Sequence, residues 1–227
     1  MSRIVFNALV AGIFMALSSA ASGTLVDRGR GLIFDTDRNV TWLSDTNLGR
    51  SSTFDDGDSA SDGRMTFGSA VAWAAALEYA GVSDWRLPQT PGRDSSCSLD
   101  NTAVNYGFGC TANELGHLFY VEFGAVAGQA VSASGSPYLA LFGPIADEPG
   151  ASGYWFDSPW CCSNVPGFIF AGGELTYTVL QNQYYAWAVR DGDVATIPEP
   201  VTSSLLTLGL IVCLRARYLT ARRLSPE

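Results

Sequence analysis

The chain carries a single histidine, His117, inside "NELGHLFYVEFG". One imidazole can act as the base of a Ser-His-Asp or Cys-His site, but the nucleophile must be placed beside it, and no G-x-S-x-G elbow is present. Residues 55–63, "DDGDSASDG", offer a different chemistry. Asp56, Asp58 and Asp62 supply the oxygen ligands that a hard cation such as calcium takes. The EF-hand pattern is not met: counting from Asp56, the sixth position is Ser61 and the twelfth is Phe67, where glycine and glutamate belong. Calcium is the one ion this loop raises, and a solvated acidic loop is the ordinary alternative. No P-loop or dinucleotide fingerprint is present, so no organic cofactor is expected. Nothing singles out a carboxylate pair for glycosidic cleavage. The expectation is a non-catalytic protein, with a hydrolase built on His117 as the alternative.

Four cysteines lie in the middle of the chain, Cys97, Cys110, Cys161 and Cys162, and Cys213 lies in the apolar tail. In an exported domain the four imply two disulfides. Cys97 with Cys110 would close the polar loop "CSLDNTAVNYGFGC" and is the preferred bridge; the pairing of the adjacent Cys161 and Cys162 stays open. Zinc held by cysteine is disfavoured, because there is no C-x-x-C and only one histidine. Aromatic residues are numerous. Stacking on a sugar face needs exposed rings, and Tyr154, Trp155 and Trp160 beside the cysteine pair are the candidates, while core packing accounts for most of the others.

These groups must be positioned by the elements around them. Leu25–Val26, Leu32–Phe34 and Val40–Leu43 read as short strands, parted by the turn-rich "DRGRG" and "DTDRN". "TFGSAVAWAAALEYAG" predicts a helix capped by Thr66 and ended by Gly81. "TANELGHLFYVEFG" predicts a second, opened by a capping box between Thr111 and Glu114 and closed by Gly124. In "SDWRLPQ", Trp85 and Leu87 are expected in the core and Arg86 partly buried beside a carboxylate, with Arg190 of "AVRDGD" acting likewise. "GYWFDS", "GFIFAGG", "ELTYTVLQ" and "YYAWAVRDG" are strand-like. Two helices within a frame of short strands make the fold class α+β.

Charge and the two ends bear on location. All thirteen basic residues are arginine. Setting aside Arg3, Arg215, Arg217, Arg222 and Arg223, and the acids Glu199 and Glu227, leaves eight arginines against twenty carboxylates, a net of about −12. Such a surface repels phosphate backbones, so nucleic acid is excluded as a partner. "MSRIVFNALVAGIFMALSSAASG" has the charged start, apolar run and small-residue end of a secretory signal peptide over residues 1–22, cleaved after Ala20 or Ser22. Residues 201–214 form an apolar run that would span about 21 Å as a helix, short of a hydrocarbon core of about 30 Å. The arginines that follow extend it and would stay cytoplasmic, leaving residues 23–195 outside.

Five phrases, "GLIFDTDRNVTWLSDTN", "DGRMTFGSAVAWAAAL", "GVSDWRLPQ", "NELGHLFYVEFG" and "YYAWAVRDGD", together resemble the family named after the C-terminal domain of a bacterial collagen-like adhesin, the Lcl C-terminal domain family. The resemblance covers about residues 28–193. It implies a C-type-lectin-like fold, in which the first and last strands pair and disulfides pin the loops, and a role in binding surface or matrix carbohydrate. The family's sulfated ligands call for a basic patch, which this acidic domain lacks. Pro198, Glu199 and Pro200, the apolar run 201–214 and the arginine cluster resemble a PEP-CTERM sorting signal over residues 196–227. That implies processing by an exosortase, a membrane enzyme of Gram-negative bacteria that make exopolysaccharide. The combined expectation is export across the inner membrane, brief anchoring by a transmembrane helix, and residence at the cell surface or in extracellular matrix. The partner there would be extracellular polysaccharide or a surface glycan; a purely structural matrix protein is the alternative.

Overall fold

The computed structural model describes residues 25–101, 103–158 and 164–194. The expected signal peptide, Trp160, Cys161, Cys162, Pro198, Glu199, Pro200 and the apolar run 201–214 lie outside the described residues. Among the described residues no helix is long and apolar enough to cross a membrane.

The architecture is α+β, mostly short strands with two short helices. One antiparallel sheet has the order β1 (Leu25–Asp27), β2 (Leu32–Asp35), β3 (Val40–Leu43), β11 (Val189–Asp191). Among the described strands the last therefore pairs with the third and not the first, Val189 lying opposite Trp42. This corrects the expected pairing. The first and last described stretches are tied instead through Arg28, whose guanidinium binds both carboxylate oxygens of Asp193.

The second sheet runs β4 (Arg64–Met65), β10 (Tyr184–Tyr185), β7 (Tyr154–Trp155), β8 (Asn164–Ile169), β9 (Glu174–Val179). β5 (Leu99–Asp100) and β6 (Asn105–Tyr106) form a separate hairpin. Between and beneath the sheets lies an aromatic core. Trp187 sits at its centre, with the rings of Trp42, Phe142, Tyr154 and Phe170 within 5.3 to 5.9 Å. Its indole N–H donates to the Leu43 carbonyl at 2.8 Å, so the one polar atom of the ring is satisfied.

Helix α1 (Phe67–Ala76) is shorter than its alanine-rich sequence predicts. Gly81 does not end it. With Ala80 it forms a two-residue turn in the left-handed region, φ 54° and 82°, which closes a bridge between Tyr79 and Val82. Helix α2 (Glu114–His117) is a single turn that passes directly into a π-helical turn, Leu118–Glu122, and Gly124 follows with φ 59°. Helical patterning marked the segment; the change of pitch inside it was not expected.

Candidate functional site

α2 is fixed from two sides. Its N-cap is Asn113, whose side chain accepts from the Gly116 N–H, and not Thr111. Glu114 does not reach back to complete a capping box, because its carboxylate is taken by Arg86. The guanidinium gives one N–H to each oxygen, at 2.9 and 2.8 Å, and the Gln89 N–H adds a third contact at 2.7 Å. A further N–H of Arg86 reaches Asp191 on β11. Burial alone would lower the Arg86 pKa, but the bonds and charge of Glu114, then Asp191, raise it above its ordinary value. Arg86 thus has the carboxylate company expected of it. Arg190 does not: it forms no ion pair among the described residues, and its buried Nε has no partner.

The π turn determines what His117 meets. On an α-helix, residues five apart sit about 140° apart around the axis. The wider π turn rotates Glu122 back under His117, and Nε2 of the imidazole lies 3.2 Å from Oε1 of the carboxylate. Asp35, at the end of β2, completes the group: one ligand atom from each of Asp35, His117 and Glu122 falls within 4.8 Å of the other two. All three residues are buried, with relative exposures of 0%, 8% and 4%.

The backbone orients Asp35. Its Oδ1 accepts from the N–H groups of Asp37 and Arg38, at 3.0 and 2.9 Å, in the tight turn between β2 and β3. Among the described residues, Asp35 Oδ2 and Glu122 Oε2 have no hydrogen-bond partner of normal geometry. The Trp42 indole N–H lies near enough to Asp35 to lower its pKa, the smallest of the influences on it, yet among the described residues Trp42 Nε1 makes no hydrogen bond of normal geometry. Burial, reinforced by the charge of Glu122, outweighs the Arg38 N–H and holds the Asp35 pKa above its ordinary value. Among the described residues the hydrogen-bond partner of the imidazole is the Glu122 carboxylate.

The sequence-predicted sites fare unevenly. Cys97 and Cys110 are bridged as expected. Tyr154 and Trp155 are 1% and 0% exposed, which corrects their assignment as sugar-stacking residues: neither ring offers a face to solvent. Their alternation with neighbours on β7 does not lift one ring outward, because both sides of this strand are covered. Trp155 donates its indole N–H to the Met65 carbonyl at 2.8 Å. The Tyr154 hydroxyl accepts from the Ala146 N–H at 2.9 Å, and burial pushes its pKa up to about 12 despite that bond. Tyr154 therefore holds a surface loop from beneath.

Asp56, Asp58 and Asp62 do not converge on a common point, which corrects the calcium expectation for this loop. Asp56 caps α1 from outside: its carboxylate accepts from the Thr66 N–H, the Thr66 hydroxyl and the Ser69 hydroxyl. Partial burial would raise the Asp56 pKa, but these donors hold it below the ordinary value. Asp62 pairs with Arg64 at 2.7 Å, and the Asp58 backbone N–H binds Gln183. A second metal-like grouping, Asp94 with Cys97 and Cys110, is closed to metal while its sulfurs are bonded to each other.

The loop that Tyr154 supports forms one wall of an open cleft of about 490 Å³. Val131, Leu139, Phe142 and Ile145 give it an apolar lining, and Asp147 and Glu148 stand within it. The wall is pinned elsewhere too: Thr46 donates to the Pro144 carbonyl at 2.6 Å, and Asp147 accepts from the Ser132 N–H at 2.8 Å. Sequence patterning missed this cleft because its residues come from two short 3₁₀ turns and a loop, with no periodic signature. No family model, curated protein or solved structure matches the chain.

Proposed function

We propose that this chain is an exported, non-catalytic module of the cell surface or extracellular matrix that binds a neutral polysaccharide. The observation that carries the reading is the Cys97–Cys110 bridge in an acidic, lysine-free domain. A bridge of this kind forms and persists in oxidising compartments, outside the bacterial cytoplasm. The signal-like start, the PEP-CTERM-like tail and the resemblance to a lectin-like family support the same location and role. An exosortase would be the processing partner, and the membrane a transient one.

The cleft is the binding face in this reading. Sugars present apolar C–H faces and a rim of hydroxyls. An apolar floor with two carboxylates receives both, the carboxylates accepting hydroxyl protons. The same carboxylates repel sulfated or uronic chains, so neutral sugars are the favoured class. The test is retention of the protein on the producing organism's own polysaccharide, beside a neutral glycan array. Wild type should be retained above a denatured control, and Asp147→Asn with Glu148→Gln should weaken retention about tenfold, the loss of one or two charge-assisted hydrogen bonds. Absence of retention, or retention unaltered by the double change, would count against the reading.

A further inference from the structure

We propose that Asp35, His117 and Glu122 form a site for one divalent transition cation, seated where the His117–Glu122 hydrogen bond now lies. Three observations carry it, none of which depends on the proposed export or sugar binding.

The first is charge. Asp35 and Glu122 are buried carboxylates, and neither forms an ion pair with an arginine among the described residues. Arg38, the nearest arginine in sequence to Asp35, gives that carboxylate only its backbone N–H; its guanidinium turns to the Thr111 carbonyl. Their partners are a single imidazole, at Glu122, and backbone N–H groups, at Asp35, and burying two carboxylates together with so little cationic company is strongly unfavourable. A metal-bound imidazole is neutral and metal-bound carboxylates are ionised, so the liganded cluster would carry −2, the charge that a divalent ion cancels.

The second is the pair of oxygens, Asp35 Oδ2 and Glu122 Oε2, that among the described residues make no hydrogen bond of normal geometry, on side chains almost wholly enclosed; the Trp42 indole N–H stands near Asp35 and leaves Glu122 Oε2 unserved. Buried oxygens are nearly always satisfied, so two in one cluster indicate a missing partner.

The third is geometry. Ligand atoms of tetrahedral zinc, at about 2.0–2.1 Å from the ion, lie about 3.3 Å from one another. The His117–Glu122 separation of 3.2 Å already matches that edge, and the group as a whole falls within 4.8 Å, so closure asks for side-chain adjustment only. The π turn is what makes this match, and such turns recur at functional sites because they are otherwise unfavourable. One nitrogen and two carboxylate oxygens suit an ion of intermediate softness, with zinc as the probe; calcium prefers an all-oxygen shell.

The test uses the full chain, kept oxidised so that Cys97 and Cys110 cannot bind metal, stripped by chelator and titrated with Zn²⁺ in a calorimeter. One ion per chain should bind. Glu122→Gln and His117→Gln should each weaken binding about tenfold or more, while Asp58→Asn in the acidic loop leaves it unchanged. Because His117 is the only histidine, a second readout needs no variant. The single imidazole signal of ¹⁵N-histidine-labelled wild type should shift on saturation with Zn²⁺. Binding below one equivalent, binding indifferent to both substitutions, or an unmoved imidazole signal would each overturn the proposal.

Discussion

Arg86 shows how one side chain joins distant parts of the sequence. It lies in "SDWRLPQ", grips Glu114 of "NELGHLFYVEFG", and reaches Asp191 of "YYAWAVRDGD". The two partners differ in burial, the Arg86 and Glu114 side chains being 16% and 13% exposed against 79% for Asp191. Breaking the enclosed pair leaves a buried charge, whereas the outer carboxylate acts across solvent. Glu114→Gln should therefore cost about 3 kcal/mol of stability by urea unfolding, and Asp191→Asn less than about 1 kcal/mol. Equal costs would show that the pair is not the anchor. An arginine between apolar residues announced this arrangement in the sequence. The same pattern misled at Arg190, whose neighbours on the sheet supply no carboxylate. For Tyr154 and Trp155 composition offered no discrimination: a core built on rings buries most of them, and only the fold tells which remain outside.

At the scale of elements, the segment from Asn113 to Gly124 governs the site. Gly116 normally would be a weak point in a helix, and replacement by alanine a gain of up to about 1 kcal/mol. Here a Cβ would come within 1.8 Å of the Cys110 carbonyl oxygen, part of the backbone anchored by the disulfide. Gly116→Ala should instead cost about 1–3 kcal/mol, the ordinary toll of overpacking; a stabilised variant, by thermal melting, would refute the close approach. Apolar periodicity made this helix legible, down to its closing Gly124. Its start was misread because Thr111 and Glu114 satisfy the capping-box spacing, while a tertiary partner, Arg86, outcompetes the local N–H for the glutamate. The π turn left no trace in the sequence. A period of 3.6 residues sends Glu122 away from His117, so the cluster with Asp35 emerges only once the pitch changes and β2 is set beside it.

For the molecule as a whole, two features work together: a core of interlocked aromatic rings and a covalent clamp between Cys97 and Cys110. The clamp was legible because the two cysteines lie thirteen positions apart, with twelve residues of polar, glycine-containing chain between them, a loop that closes easily. The strand order was not, since the choice between pairing β11 with β1 or with β3 depends on long-range register that short strands do not encode. Location is the claim on which the functional reading turns. Its direct measurement is mass spectrometry of the protein recovered from the producing cells, fractionated into cytoplasm, envelope and extracellular polysaccharide. The account predicts the chain in the outer fractions, with Cys97 and Cys110 crosslinked, its first residues removed at Ala20 or Ser22, and its tail lost near Pro198–Pro200. Recovery from the cytoplasm of all 227 residues, with both cysteines as free thiols, would contradict it.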